Sequence, residues 1–353
     1  MFSEKIIRWY EDNKRVLPWR GIRDPYRIWV SEIILQQTRI EQGRSYYERF
    51  VDAYPTVTDL ANASEEQVLK LWQGLGYYSR ARNMHSAARH IAFDLDGHFP
   101  ATYEGVLALK GVGRYTAAAI VSFAYRLPYP VIDGNVYRVM ARIFGITLPI
   151  ATETAYKEFE RHLMGLIDRD RPDLFNQAMM DFGATYCKPV GCNCGECIFS
   201  SECVAWNTGR VSSLPVRPAA IKVRQRYFYY LDIRWVQDGV THTFFHQRQG
   251  RDIWKGLYEY PLIESNQTWT DEQLQNSVSE WFNASCGAQA IRPYMVMSMT
   301  HKLTHQTLSA SFIRIDLSAP PSHYPEKELG LPLDRLKSLP VPRLIDNYFQ
   351  NGL

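Results

Sequence analysis

Hydrophobic positions in residues 1–209 recur with the three-to-four-residue spacing of amphipathic helices, and glycine and proline separate the periodic stretches. The pattern predicts helices at Pro25–Glu41, Ser64–Trp72, Ser79–Phe93, Tyr103–Leu109, Tyr115–Tyr125, Asn135–Phe144 and Thr152–Ile167. We therefore expect residues 1–209 to form an all-α domain.

The pattern changes after residue 209. Residues 210–226 contain five basic residues, two prolines and no acidic residue, which predicts an exposed linker that also suits DNA contact. Residues 227–353 then alternate in the manner of strands, with a hairpin turn at Asp238-Gly239. The predicted elements are strands at Tyr227–Trp235, Thr241–Phe245, Tyr294–Met299 and Ser309–Ile315, a helix from about Thr270 to Phe282 and a terminal helix after Pro342. We expect residues 227–353 to form an α+β domain.

Composition is consistent with two globular domains. The chain has 353 residues, of which 46% are hydrophobic and 13% aromatic. No apolar run approaches the length of a membrane helix, and no apolar leader follows Met1, so we expect a soluble, intracellular protein. We also expect it to be cytoplasmic and monomeric. A net charge of +3 permits nucleic-acid binding without requiring it.

Four cysteines lie within seventeen residues, with the spacing Cys187-x6-Cys194-x2-Cys197-x5-Cys203. Short loops of this kind can wrap an iron-sulfur cluster. Structural zinc prefers paired C-x2-4-C hairpins, and disulfides belong to oxidising compartments, so both alternatives fit less well. Cys192 lies inside the same loop and leaves the choice of ligands open.

A phosphate-binding turn is predicted at Leu109-Lys-Gly-Val-Gly-Arg-Tyr-Thr116. Gly111 and Gly113 allow backbone N–H groups at the start of a helix to approach a phosphate, and Lys110 and Arg114 add positive charge. This turn resembles the helix-hairpin-helix of DNA-repair glycosylases. That superfamily has an aspartate about twenty residues further on, where Asp133 stands; an ordinary helix N-cap is compatible with a catalytic role there.

Glu32 is the one acid in the apolar segment Trp29–Leu35, which predicts a buried helix. Burial should raise the pKa of this carboxyl towards the range of a general acid. The alternative is a structural ion pair with Arg20 or Arg39.

The combination of motifs resembles the A/G-specific adenine DNA glycosylases of the MutY type over essentially the whole chain. Besides the features above, the resemblance is carried by Leu17-Pro-Trp-Arg20, Ser31-Glu-Ile-Ile-Leu-Gln-Gln-Thr38, Gly74–Arg80 and Phe175–Met180. It implies a 4Fe-4S cluster on Cys187, Cys194, Cys197 and Cys203, duplex DNA containing an adenine mispair as partner, and a nucleoid-associated bacterial enzyme. Endonuclease III-like members have a lysine where Tyr115 stands, so excision without strand cleavage is implied.

The resemblance also implies roles for individual residues. Glu32 would protonate N7 of adenine, and Asp133, beside Tyr115 and Asn135, would stabilise the oxocarbenium-like sugar. Residues assigned to the extruded adenine, besides Glu32, are Arg15, Leu17, Trp19, Arg20 and Gln177, with Gln37 and Tyr77 beside the opposite base. Trp19 and Tyr77 could instead be core aromatics.

Residues 227–353 resemble the Nudix-like module that reads 8-oxoguanine in this family. The match includes Gln247–Tyr258, but no Arg-Glu-x-x-Glu-Glu run follows, so reading rather than hydrolysis is expected. The family's lesion-reading Phe-Ser-His appears as Leu303-Thr304-His305, which keeps the hydroxyl and loses a ring. The cluster loop has Lys188 as its one basic residue between Cys187 and Cys194, which predicts weaker DNA contact there.

Two other functions would fit parts of this sequence. A thymine-mismatch or oxidised-pyrimidine glycosylase would use the same scaffold, but Glu32 and the long second domain disfavour it. A noncatalytic DNA-binding or electron-transfer iron-sulfur protein has no need for Glu32, Asp133 and Tyr115 together.

Overall fold

The computed structural model describes residues 1–218, 223–250, 252–288 and 290–351. The chain divides into two compact units, of which unit 1 comprises Met1–Asn62 and Asn83–Ala220, and unit 2 comprises Ala63–Arg82 and Ile221–Leu353. The segment Ala63–Arg82 therefore folds with the C-terminal residues, which the sequence did not indicate. Within the described residues, no helix is both long enough and apolar enough to cross a lipid bilayer.

Unit 1 is helical, as predicted. The helices up to residue 207 are α1 (Phe2–Asn13), α2 (Pro25–Leu35), α3 (Ile40–Ala53), α4 (Val57–Asn62), α5 (Glu65–Leu71), α6 (Ser79–Asp94), α7 (Tyr103–Leu107), α8 (Arg114–Tyr125), α9 (Gly134–Phe144), α10 (Glu153–Leu166), α11 (Pro172–Asp181) and α12 (Val204–Asn207). Of these, α5 and the start of α6 lie in Ala63–Arg82 and thus in unit 2. A π-helical turn at Phe182–Tyr186 follows α11 and leads into the cysteine loop.

Helix α2 is shorter than predicted. The expected helix Pro25–Glu41 ends at Leu35, and α3 begins separately at Ile40. Gln37 between them has a φ of +57°, a left-handed conformation that breaks the helix. The prediction beyond Leu35 was wrong because no glycine or proline marks this break.

Unit 2 is α+β, as predicted. Its C-terminal part contains β1 (Arg224–Gln237), β2 (Val240–Gln247), β3 (Tyr258–Glu259), β4 (Leu262–Ser265), α13 (Asp271–Cys286), β5 (Tyr294–Lys302), β6 (Gln306–Asp316), β7 (Leu329–Pro332), α14 (Leu333–Leu336) and α15 (Arg343–Asn351). Strand β1 begins inside the predicted linker 210–226, of which positions 219–222 lie outside the described residues. The domain boundaries remain a prediction.

The sheet of unit 2 has the strand order β3-β2-β1-β6-β5. The predicted β1–β2 hairpin is confirmed, with Gln237 opposite Val240 around the Asp238-Gly239 turn. Strand β1 pairs in parallel with β6, and it is buried on both faces because alternate residues enter two cores. Phe228 and Tyr230 pack towards α15, whereas Tyr229 and Leu231 pack towards α13.

Candidate active site

Glu32 is buried in helix α2 and bonded to a tyrosine. Asp24 caps this helix by accepting from two backbone N–H groups, and the apolar residues that follow bury nearly every face. The Glu32 side chain is only 7% exposed, and its Oε2 accepts a hydrogen bond of 2.7 Å from the Tyr115 hydroxyl on α8. Burial raises the pKa of Glu32, and the bond from Tyr115 opposes that rise. The predicted buried acid is confirmed as a structural feature.

The predicted alternative, an ion pair of Glu32 with Arg20 or Arg39, is not formed. Arg20 donates to Asp181 at 3.1 Å and to the Tyr10 hydroxyl at 3.2 Å. Throughout the described ranges, no lysine or arginine lies within ion-pair distance of Glu32. Arg20 lowers the pKa of Glu32 only through its more distant charge.

Asp133 caps helix α9, as the sequence analysis anticipated. Its Oδ1 accepts from the Val136 N–H at 2.7 Å, and its Oδ2 accepts from the Asn135 side-chain amide at 2.8 Å. Burial raises the pKa of Asp133, while these hydrogen bonds favour the ionised form. Each oxygen keeps a further lone pair, so the cap leaves the carboxylate able to face a second group.

Glu32, Tyr115 and Asp133 line one cavity of about 500 Å³. The remaining lining residues come from the end of α2 and the positions just after it, from the start of α8 with its N-cap, and from the position before Asp133: Leu35, Gln36, Gln37, Gly113, Arg114, Thr116 and Ile132. Tyr115 bonds to Glu32 rather than to Asp133, and the nearby charge of Asp133 helps to raise the pKa of the Tyr115 phenol. Two carboxyl groups in one pocket, in different hydrogen-bonding environments, suit a division into proton donor and anion.

The two glycines of the turn between α7 and α8 differ in what surrounds them. Gly111 has a φ of +82°, and a Cβ placed there would lie 2.6 Å from the Asn83 Cβ. Gly113 is the N-cap of α8 with a φ of −100°, and a Cβ there would meet nothing within 4 Å. Gly111 is needed to form the turn, whereas the space beside Gly113 stays open at a helix N-terminus.

The two predicted phosphate-binding cations of the turn differ in their contacts. Lys110 is exposed, with its Nζ 3.5 Å from the Ser86 hydroxyl. The Arg114 Nη1 bonds to both carboxylate oxygens of Glu153 at 2.9 and 3.0 Å, and its guanidinium lies over the Tyr156 ring. The bond to Glu153 uses Nη1 alone, and a guanidinium carries five N–H donors, so a phosphate need not displace Glu153.

Two of the residues predicted around the adenine bond to a buried acid that the sequence analysis missed. Asp181 is completely buried and bonds to both Arg15 and Arg20. Leu17 and Trp19 are buried, and the Trp19 ring packs edge-to-face on the Tyr47 ring at 5.2 Å; the contact of Trp19 with adenine stays a prediction.

Gln177 is also buried. Its Oε1 accepts a hydrogen bond of 2.7 Å from Tyr10, the same hydroxyl to which Arg20 donates. Tyr10 and Asp181 thus form one polar network with the predicted residues. The sequence signal for Asp181 is an acid directly after the apolar run Ala178-Met179-Met180.

The cysteine loop folds around Arg142, which is 3% exposed. Its guanidinium donates to the carbonyls of Lys188 and Pro189 and lies 3.5 Å from the Cys187 Sγ. The Cys203 thiol donates to the Arg142 carbonyl at 3.4 Å.

The loop gathers cysteine thiols, which are the donors that iron-sulfur clusters use. Cys197 Sγ accepts from the Phe199 N–H at 3.4 Å. Burial raises the pKa of Cys187, and Arg142 opposes that rise. Across the described ranges, no three Cys, His, Asp or Glu side chains converge on a position for a single metal ion.

A chain of hydrogen bonds joins the cysteine loop to Asp133. Asn135 donates to Asp133, and the Arg138 Nη2 donates to the Asn135 Oδ1 at 2.8 Å. The Arg138 Nε donates to the Cys187 carbonyl at 2.9 Å. Arg138, which the sequence analysis did not single out, therefore couples the position of Asp133 to that of the loop.

In unit 2, Tyr77 meets the turn between β5 and β6. This turn contains Leu303, Thr304 and His305, and the Tyr77 hydroxyl forms a hydrogen bond with the Thr304 hydroxyl. Tyr77 is 47% exposed, so it is not the core aromatic of the alternative interpretation. Gln37 in unit 1 is exposed beside the cavity.

The chain matches two known families. Residues 30–169 match the family described as HhH-GPD superfamily base excision DNA repair protein, and residues 233–351 match the NUDIX domain. Unit 1 also resembles a thermostable thymine-DNA glycosylase, with a TM-score of 0.55 and 28% identity over 59% of this chain and 95% of that one. An endonuclease III trapped on DNA shares the fold, with a TM-score of 0.51 and 22% identity over 59% of this chain and 94% of that one. The class is thus a helix-hairpin-helix base excision repair protein with a Nudix domain.

Three relatives narrow the class. The adenine DNA glycosylase of Schizosaccharomyces pombe is 30% identical over 80% of this chain and 74% of its own length. That of Buchnera aphidicola subsp. Acyrthosiphon pisum is 28% identical over 99% of this chain and 97% of its own. The mouse protein is 40% identical over 64% of this chain, and the match spans about half, 47%, of the mouse length. The chain belongs to the adenine DNA glycosylase family.

Proposed function

We propose that the chain hydrolyses the N-glycosidic bond of adenine mispaired with 8-oxoguanine or guanine in duplex DNA, leaving an abasic site. The observation that carries this proposal is the shared cavity of Glu32 and Asp133, in which a buried carboxyl is held by the Tyr115 hydroxyl. The family membership of the chain supports adenine as the base that is removed.

Glu32 supplies the proton. Adenine leaves poorly as an anion, so protonation of N7 by a positioned acid lowers the barrier, typically by about 10²- to 10⁴-fold in rate. Burial keeps Glu32 protonated to higher pH than an exposed glutamate, and Tyr115 fixes the carboxyl in place. Water then adds its oxygen to the sugar carbon, and its proton replaces the one that Glu32 gave to the base.

Asp133 stabilises the positive charge on the sugar as the bond breaks. Its hydrogen bonds from Val136 and Asn135 favour the carboxylate form and fix its direction. Tyr115 has no amine, so no Schiff base forms on the opened sugar and the strand is not cleaved. The adenine pocket is formed by the residues that line the cavity together with Arg15, Leu17, Trp19, Arg20 and Gln177.

We also propose that Cys187, Cys194, Cys197 and Cys203 hold a 4Fe-4S cluster. The cluster would supply covalent links that fix the loop after α11, and through Arg138 it would stabilise the position of Asn135 and Asp133. Lys110, Arg114 and the N–H groups at Gly111 and Gly113 would bind a DNA phosphate. Gln37, Tyr77, Leu303, Thr304 and His305 would read the opposite base.

Single-turnover excision on three duplexes tests the proposal, with adenine opposite 8-oxoguanine, adenine opposite guanine and thymine opposite guanine. We expect strand breaks at adenine only after alkali treatment. Breaks without alkali would indicate a lyase, and loss of thymine would favour the thymine glycosylase. Tight binding without excision would indicate a noncatalytic protein.

Two variants test the roles of the carboxyl groups. Glu32→Gln and Asp133→Asn should bind the mispair and excise adenine at least about 10²-fold more slowly. Glu41→Gln, at an exposed position of α3, is the matched control and should behave as the wild type. Normal turnover in Glu32→Gln would remove Glu32 from the acid role.

A further inference from the structure

Cys192 is a fifth cysteine within the loop that carries the four proposed cluster ligands. Gly191 before it has a φ of +70°, and the Cys194 N–H bonds back to the Cys192 carbonyl at 3.2 Å, so the chain turns tightly here. This turn brings the Cys192 Sγ to 3.5 Å from the Cys194 Sγ. Both side chains are partly exposed. Two thiols thus share one corner of the loop.

The Arg142 guanidinium lies beside the sulfur of Cys192 as well as that of Cys187. The same guanidinium nitrogen lies 3.5 Å from the Cys187 Sγ and 3.7 Å from the Cys192 Sγ. It is held in place by backbone carbonyls, including that of Leu214 at 3.1 Å, so its position does not depend on either sulfur. One fixed cation thus lies beside both sulfurs.

The contacts of the loop place Cys192 beside the proposed ligands. Its sulfur lies 3.5 Å from the Cys194 Sγ, and it shares the Arg142 guanidinium with the Cys187 Sγ.

We propose that Cys192 is an alternative ligand of the cluster and replaces Cys194 at one iron. The inference rests on the proposed 4Fe-4S cluster. In the exchange, the Cys192 thiol would give up its proton as its sulfur binds the cluster, and the displaced Cys194 sulfur would take up that proton. No electron is gained or lost, so no oxidant is required. Ligation through Cys192 would give the spacing Cys187-x4-Cys192-x4-Cys197.

The test is the iron and sulfide content of purified full-length variants, together with their visible absorption. The wild type should contain about four irons per chain. Cys194→Ser should keep roughly half of that iron or more, because Cys192 takes its place, whereas Cys187→Ser and Cys203→Ser should lose it. The double variant Cys192→Ser/Cys194→Ser should lose its iron as well.

Two single variants are controls. Cys192→Ser retains all four proposed ligands and should keep its iron. Cys286→Ser removes a buried thiol in unit 2 and should also keep it. A wild-type protein without iron would overturn the proposed cofactor itself. Wild-type iron together with its loss in Cys194→Ser would overturn only the alternative ligand.

Alkylation of the native wild-type protein gives a measurement that does not depend on a folded variant. With the cluster bound, iodoacetamide followed by mass spectrometry should find one modified thiol per loop, on Cys192 in some chains and on Cys194 in others. Chains modified at both should be the ones that have lost iron. A label confined to Cys192 would overturn the exchange.

Discussion

Gly111 and Gly113, in the turn between α7 and α8, should differ in how the addition of one methyl group affects stability and DNA binding. Gly111→Ala places a Cβ 2.6 Å from the Asn83 Cβ, at a φ of +82° that L-residues rarely adopt. The left-handed conformation costs about 1–2 kcal/mol, and overpacking typically adds about 1–3 kcal/mol. Because the Asn83 side chain can shift to relieve part of the contact, we expect a loss of about 2–4 kcal/mol in the free energy of unfolding.

Gly113→Ala should leave stability nearly unchanged. Its φ of −100° suits alanine, and the new Cβ meets no atom within 4 Å. As an N-cap, alanine is less favourable than glycine by about half a kcal/mol. Alanine also makes the unfolded chain less flexible than glycine does, which offsets that loss. The methyl group instead occupies the space through which a phosphate oxygen would approach the first N–H groups of α8. Loss of one charge-assisted hydrogen bond, about 1.5 kcal/mol or more, predicts at least about tenfold weaker DNA binding.

Urea denaturation measures the first effect, and fluorescence anisotropy with an undamaged duplex measures the second across a range of salt concentrations. Wild-type affinity should fall steeply with salt because phosphate contacts dominate binding. Gly113→Ala should bind more weakly while unfolding at the wild-type urea concentration. Equal destabilisation of the two variants, or wild-type DNA affinity in Gly113→Ala, would refute this account of the turn.

Three further predictions concern the catalytic pocket. Tyr115→Phe removes the hydrogen bond that favours ionised Glu32, so the alkaline limb of the excision rate should move to higher pH; movement to lower pH would contradict the geometry. Glu32→Gln should be more stable than the wild type at alkaline pH. Burial raises the pKa of Glu32 in the folded protein, so ionisation of this acid destabilises the fold as pH rises above 4.5, the ordinary pKa of a glutamate. In thermal denaturation, the difference between the two proteins should vanish below that pH. Arg138→Gln breaks the bonds to Asn135 and Cys187, so it should slow single-turnover excision by roughly 10- to 100-fold without abolishing DNA binding. An unchanged rate would show that the position of Asp133 does not depend on the cysteine loop.

The features that the sequence predicted well are local ones. The apolar residues around Glu32 indicated its burial, the sequence at Asp133 indicated the cap, and Asp238-Gly239 indicated the β1–β2 hairpin. Each depends on residues within one or two turns of the chain. The cysteine spacing likewise indicated that the thiols would gather in one loop, although it did not indicate how closely Cys192 joins them.

The features that were missed depend on contacts between distant segments. Nothing near Ala63–Arg82 indicates that this stretch folds with the C-terminal residues. The Lys70 ammonium bonds to the carbonyls of Lys337 and Leu339, and Gln73 bonds to Asp346, all of which are far away in sequence. The left-handed Gln37 was missed for a different reason, since the residue type that normally marks such a conformation is glycine.

The state of Glu32 shows why the sequence alone left its role open. A buried glutamate near an arginine is either half of an ion pair or a candidate acid, and Arg20 was available for the pair. Asp181 decides between these outcomes, because it binds Arg20 and Arg15 and leaves Glu32 with the neutral hydroxyl of Tyr115. A neutral donor holds the carboxyl in place without the strong stabilisation of the anion that an adjacent guanidinium would give. The proposed role of Glu32 as proton donor thus depends on an acid in another helix, which no pattern around Glu32 could indicate.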